Sequence, residues 1–225
     1  MINIIKSQPA PECLAIEKLK ASGDYKCGDV LERIKTDFHN KCYICEDKEP
    51  TSINVEHFIP HKNKDRDLEF DWNNLFYACV HCNNTKHVKY TNLLNCIDPS
   101  HEILKRIKFE IKPFPKEFSN ITAIATDTRT LETVSLLNEV YNGTTELKTI
   151  EASNLRSKLL NEIREFQNVL FKYMEYESVD QVYAADLLRD IRRRLHPSSA
   201  FVAFKVWIIK ENPFLLGKFG EFINW

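Results

Sequence analysis

The chain has 225 residues, 43% of them hydrophobic and 28% charged, a balance usual for a globular protein and long enough to bury a core without disulfide staples. With 31 Lys+Arg against 32 Asp+Glu, its net charge of -1 excludes a protein that grips nucleic acid by overall field alone. Five glycines, with neither GxGxxG nor GKS/GKT, argue against a phosphate-binding glycine loop. No apolar run approaches membrane-spanning length, and the first eight residues lack the apolar stretch of a signal peptide.

In chain order, residues 12–21 and 29–38 read as two short helices, the first stopped by Ser22-Gly23 and the second opened by Asp29 as N-cap. Residues 53–57 alternate apolar and polar and predict a strand, and 75–78 predict a second. A helix is expected over 82–89 and a strand over 108–114, stopped by Pro113 and Pro115. Beyond them, Leu155, Leu159, Ile163, Phe166, Leu170 and Tyr173 mark one long amphipathic helix. Ser178 with Gln181 reads as a capping box for the next helix, which ends at Pro197. A last helix is expected over 199–212, closed by Pro213.

Seven cysteines are an odd number, and the expectation is a reducing compartment without a disulfide framework. Four form two Cys-x-x-Cys pairs, Cys42/Cys45 and Cys79/Cys82, with 33 residues between the pairs. Two such knuckles complete a tetrahedral thiolate site for a structural Zn²⁺. Cys13, Cys27 and Cys96 have no partner at metal spacing and are expected to be small buried hydrophobes.

Between and beside the knuckles lie Val55-Glu56-His57-Phe58-Ile59-Pro60, Asn73-Asn74-Leu75 and Asn83-Asn84-Thr85-Lys86. A neutral His57 can take a proton from water. Glu56 and Asn83 offer oxygen ligands suited to Mg²⁺ or Mn²⁺. Lys86, three residues after Asn83, would share its helix face and could hold a phosphate, with a plain surface lysine weighed equally. Because neighbours on a regular strand face opposite ways, Glu56 and His57 are expected to need an irregular strand end to meet at one phosphate. His61 and His87 are read mainly as solvated. His81 is read as a bystander to four thiolates.

The run Cys-x2-Cys, Glu-His-x-x-Pro, Asn-Leu, Cys-x2-Cys-Asn-x2-Lys over residues 40–90 resembles the HNH endonucleases with a zinc-supported ββα-metal motif. The resemblance implies His57 as general base, Glu56 and Asn83 as ligands of a catalytic divalent ion, and Asn74 as the residue that holds the catalytic loop. Glu in place of the commoner Asp, and Asn in place of His at position 83, are departures from that pattern. Residues 135–143, 150–156 and 199–210 are similar to PtuB, the nuclease subunit family of Septu-type bacterial anti-phage systems. That likeness implies a partner ATPase subunit of the PtuA type, a DNA substrate and a place in the bacterial cytoplasm, with self-association left open.

The expected architecture is α+β: an N-terminal helical segment over 1–40, an HNH nuclease module over 41–98, and a mainly helical part over 99–225 for partner docking. Seven Lys/Arg against eight Asp/Glu in 41–90 deny the module a positive field of its own. Lys105, Arg106, Lys108 and the arginines at 189 and 192–194 are the basic candidates, the latter more simply a solvated face balanced by Asp186 and Asp190. Two other readings stand beside the nuclease: a zinc-stabilised module that binds nucleic acid or a partner without cutting, and a stand-alone restriction-like nuclease.

Overall fold

The computed structural model describes residues 1–61, 65–114 and 117–225. The N-terminal helices are α1 (Glu12–Lys18) and α2 (Val30–Asp37). Asp29 does precede α2, but its side chain makes no capping hydrogen bond. Cys13 and Cys27 are joined by a disulfide with a Cα–Cα separation of 6.0 Å. This corrects the expectation of two unpaired thiols: the chain between α1 and α2 folds back so that the two residues meet. Cys96 is buried and free, as a small hydrophobe.

The central hairpin pairs β1 (Ile53–His57) with β2 (Leu75–Cys79) antiparallel, in a register that sets Glu56 opposite Phe76 and His57 opposite Leu75. All five residues of β2 are buried, so the strand does not alternate; α2 and α4 (Val80–Lys86) both pack against it. The connection holds the short helix α3 (Arg66–Glu69) and a 3-10 turn over Trp72–Asn74. Helix α4 starts two residues earlier than expected, because Cys79 caps it: its Sγ accepts the Cys82 N–H at 3.4 Å. It stops at Lys86, where His87 turns to a φ of +39°.

After α5 (Ile103–Arg106), a second hairpin pairs β3 (Ile107–Lys112) with β4 (Phe118–Ala123). The sequence pattern pointed to β3 alone; Pro115, one of its two expected stops, lies outside the described residues. Helix α6 (Thr128–Asn142) covers β4, and Asn138 Nδ2 donates to the Ile121 carbonyl at 2.8 Å. The long helix α7 (Glu146–Tyr176) packs against α6 and against α8 (Gln181–Leu195). Asp180, not Ser178, caps α8: its carboxylate accepts the Val182 and Tyr183 N–H groups. A carboxylate one residue before the first helical turn reaches both donors, which Ser178 is too far upstream to do.

Helix α9 (Val202–Glu211) is followed by α10 (Pro213–Phe219). Pro213 therefore opens a helix as well as ending one. Asn212 accepts the Phe214 and Leu215 N–H groups, and proline at the first helical position has no N–H to leave unsatisfied. The basic candidates are internally balanced: Lys105 with Glu102, Arg106 with Asp127, Lys108 with Glu211, Arg189 with Asp186, and Arg193 with Asp190. The fold is thus a mixed helix-and-sheet structure, and no helix among the described residues is long and apolar enough to cross a membrane.

The helices brace the hairpin with specific bonds. Tyr141 of α6 donates its hydroxyl to the Cys45 carbonyl at 2.5 Å, and Arg156 of α7 donates to the Tyr141 carbonyl at 2.5 Å. Buried Lys41 donates to the Ser199 carbonyl at 2.9 Å, just before α9. Each of these groups is buried or half-buried, and leaving one unpaired would cost about 1–3 kcal/mol.

Candidate active site

The knuckles come together as the spacing requires. One ligand atom from each of Cys42, Cys45, Cys79 and Cys82 lies within 4.8 Å of the others, and the Cys45 and Cys79 sulfurs are 3.9 Å apart. Tetrahedral Zn²⁺ with bonds of about 2.3 Å sets sulfurs about 3.8 Å apart, so the four fit a structural zinc. All four are buried, the normal environment of a closed structural site. Burial resists ionisation at Cys42, yet hydrogen bonds from Cys45, Cys79 and Cys82 hold this thiol well below its ordinary value. Burial and the neighbouring thiols push Cys45 and Cys82 the other way. His81 takes no part: Nδ1 lies 2.7 Å from Glu151 Oε2 and Nε2 lies 2.8 Å from the Val140 carbonyl.

A cleft of about 290 Å³ opens beside this cage, lined among others by Tyr25, Glu56, His57, His61, Asn83 and Lys86. Strand β1 is regular through His57, so the expected irregular strand end is absent. Glu56 turns toward Lys86 on α4, while His57 turns toward Tyr25 and Glu69. The cleft reaches both side chains around the strand.

His57 Nε2 lies 2.9 Å from the Glu69 carbonyl oxygen. A carbonyl only accepts, so Nε2 carries a proton and a neutral ring keeps its lone pair on Nδ1. Burial holds the imidazole below the ordinary histidine value; the Glu69 hydrogen bond opposes it, and His61 adds to the lowering. The neutral base form is therefore favoured.

Glu56 is 6% exposed, and Lys86, at 1%, is one of the most buried large side chains in the protein. Lys86 Nζ lies 2.6 Å from Glu56 Oε1. This corrects the surface-lysine reading: α4 packs on β1 and carries the ammonium inward. Burial pushes the Glu56 carboxyl up to about 7, overriding the Lys86 ammonium beside it. Its second oxygen, Oε2, is buried without a well-aligned hydrogen bond among the described residues, and the buried Tyr43 hydroxyl beside the carboxyl helps to hold it down. Glu56 lines the same cleft as Asn83, and these two oxygen donors are of the kind that suits a hard divalent ion.

Asn74 is 3% exposed and spends its amide on the loop: Oδ1 accepts the Ile59 N–H at 2.7 Å, and Nδ2 donates to the Ile59 and Leu68 carbonyls, each at 2.9 Å. Asn73, its neighbour, is exposed, and its Oδ1 accepts from Gln8 Nε2 at 3.1 Å. His61 stands closer to the chemistry than its sequence position suggested, with its ring 4.3 Å from that of His57 and Nδ1 buried without a hydrogen-bond partner among the described residues. His87 is exposed at the cleft rim. Tyr25 had no motif to mark it; it comes from the N-terminal segment and packs edge-on against His57.

Among protein families, the model described as HNH endonuclease matches residues 42–89, a span that holds the four cysteines, Glu56, His57, Asn74, Asn83 and Lys86. The match supports placing this module with the HNH endonucleases. No curated protein and no solved structure matches the chain.

Proposed function

We propose that the chain is a metal-dependent endonuclease that hydrolyses phosphodiester bonds of DNA, with His57 as general base. The observation that carries this is the His57 geometry: one ring nitrogen is fixed on the Glu69 carbonyl and the other makes no hydrogen bond among the described residues, in a cleft shared with Glu56 and Asn83. Nδ1 of His57 takes a proton from water as the water oxygen attacks phosphorus. The bond from phosphorus to the 3′ oxygen breaks, and that oxygen gains a proton, leaving 5′-phosphate and 3′-hydroxyl ends. Glu56 and Asn83 would hold Mg²⁺ or Mn²⁺, which stabilises negative charge on the phosphoryl and leaving oxygens. Lys86 orients the Glu56 carboxylate, and Asn74 keeps 59 and 68 in place around the base. The four cysteines bind the structural zinc that staples the hairpin to α4.

The balanced surface charge supports a nuclease whose grip on DNA is supplied by a partner. Together with the likeness of 135–143, 150–156 and 199–210 to Septu-type subunits, it supports an effector of bacterial anti-phage defence acting with a PtuA-type ATPase. A native partner recovered with the tagged chain, and its ATPase activity, test this part.

The test of the chemistry is divalent-ion-dependent nicking of a supercoiled plasmid, with and without the partner. His57→Ala is expected to abolish nicking while bound zinc is unchanged. Equal inertness of wild type and variant with every divalent ion would end the enzyme reading. The engagement of Glu56 by Lys86 favours a second reading, a zinc-stabilised module that binds nucleic acid or a partner without cutting. That reading predicts DNA binding that His57→Ala leaves intact in a protein that never cuts.

A further inference from the structure

We propose that Tyr25, which lies outside the matched nuclease module, is a positioning residue that fixes the orientation of the His57 imidazole. This rests on the reading of His57 as general base. The two rings meet edge to face, with centroids 4.6 Å apart and planes at 66°. On another side the His61 ring lies 4.3 Å away at 52°. With Nε2 anchored on the Glu69 carbonyl, the imidazole can still swing about that single hydrogen bond. Flanking rings remove that freedom, and the reacting nitrogen keeps one direction.

Tyr25 is held by a closed circuit of contacts. The Cys13–Cys27 disulfide ties off the loop two residues after it. Arg66 at the start of α3 reaches into the same loop. Its Nε donates to the Lys18 carbonyl at 2.6 Å, and its terminal nitrogen donates to the Glu17 carbonyl at 3.1 Å and to that of Lys20. Lys18 also pairs with Asp67 of α3 at 2.5 Å. Helix α3 ends in Glu69, whose carbonyl takes the His57 N–H. The path therefore runs from His57 to Glu69, along α3 to Arg66, through the loop to Tyr25, and back to His57.

The loop is closely packed at Gly23, where a Cβ would fall 2.0 Å from the Glu17 carbonyl oxygen and 3.0 Å from the Phe70 ring. Displacing a reacting group by about 1 Å can cost about 100-fold in rate, which sets the scale of the effect.

The experiment compares wild type, Tyr25→Ala and Tyr25→Phe in the full chain. Steady-state nicking gives kcat and KM, and ¹⁵N NMR of the histidine rings reports the tautomer of His57 without requiring activity. Tyr25→Ala is expected to lower kcat about 10- to 100-fold with KM within about twofold of wild type. Zinc stays bound, and the single Nε2–H tautomer of His57 gives way to a mixture. Tyr25→Phe, which keeps the ring, is expected to recover most of the loss in both readouts. A Tyr25→Ala protein with wild-type kcat and an undisturbed tautomer overturns the proposal, as does one whose only defect is a raised KM, since Tyr25 would then be a DNA contact. If wild type itself cuts nothing, the nuclease reading fails, and the tautomer alone decides whether Tyr25 orients the ring.

Discussion

Lys86 Nζ lies 2.6 Å from Glu56 Oε1, and both side chains are shut away from water. The pair joins β1 to α4, so the carboxylate already has a cation of its own.

Removing the ammonium raises the Glu56 carboxyl further above 7, so at neutral pH it takes up a proton and loses its hydrogen-bond partner. Lys86→Met is expected to cost about 1–3 kcal/mol in urea unfolding at neutral pH. The double variant Glu56→Gln/Lys86→Met should recover part of that loss, because the side chain at 56 is then neutral without taking up a proton. Additive losses in the double-mutant cycle would show that the two groups do not interact.

The zinc cage closes a large span of chain with four thiolates. Each chain is expected to bind one Zn²⁺, and chelation should melt the hairpin and α4, read as a lower Tm and a loss of far-ultraviolet ellipticity. Cys82→Ser should lose the metal during purification. Full zinc retention in that variant would remove Cys82 from the ligand set.

Lys6 supplies a pH signature away from the cleft. It is buried and donates to the Leu75 carbonyl at 2.5 Å and to that of Trp72. Burial, against the attraction of Asp37, lowers its pKa from 10.5 to about 7. Below that value both folded and unfolded chains are protonated, and the full desolvation cost is present. Between about 7 and 10.5 the unfolded chain holds more protons, so stability gains as pH rises, by up to about 1.4 kcal/mol per unit. The stability difference between wild type and Lys6→Met should therefore shift in favour of wild type across that window. A difference that stays constant with pH would refute the lowered value.

The Cys13–Cys27 bridge closes a loop over 14 positions of sequence. Constraint of the unfolded chain by a loop of that size is worth about 3 kcal/mol. Cys13→Ser/Cys27→Ser, or treatment with a dithiol, should lower stability by about that amount, with zinc still bound. A thiol titration of the native protein that finds both cysteines free would show that the bridge does not form.

Much of the nuclease module was legible in the sequence. The two knuckles and the strands at 53 and 75 are local patterns, and each is where its pattern put it. Spacing of two residues bends two thiols toward one point, and alternation of polarity marks a strand, whatever surrounds them. Other features needed the packed chain. Cys13 and Cys27 carry no metal spacing and meet only because the chain between them folds back in the packed structure. Strand β4 has too little alternation to stand out and exists because β3 and α6 cover it. Lys86 looked like any polar residue on a helix until α4 was laid against β1. Tyr25 reached His57 from 32 positions away, with no motif between them. Short-range order follows from the stereochemistry of neighbouring residues, which the sequence states outright. Which distant side chains are desolvated together is settled by the free energy of burying the whole core, and that exists only once the chain has folded.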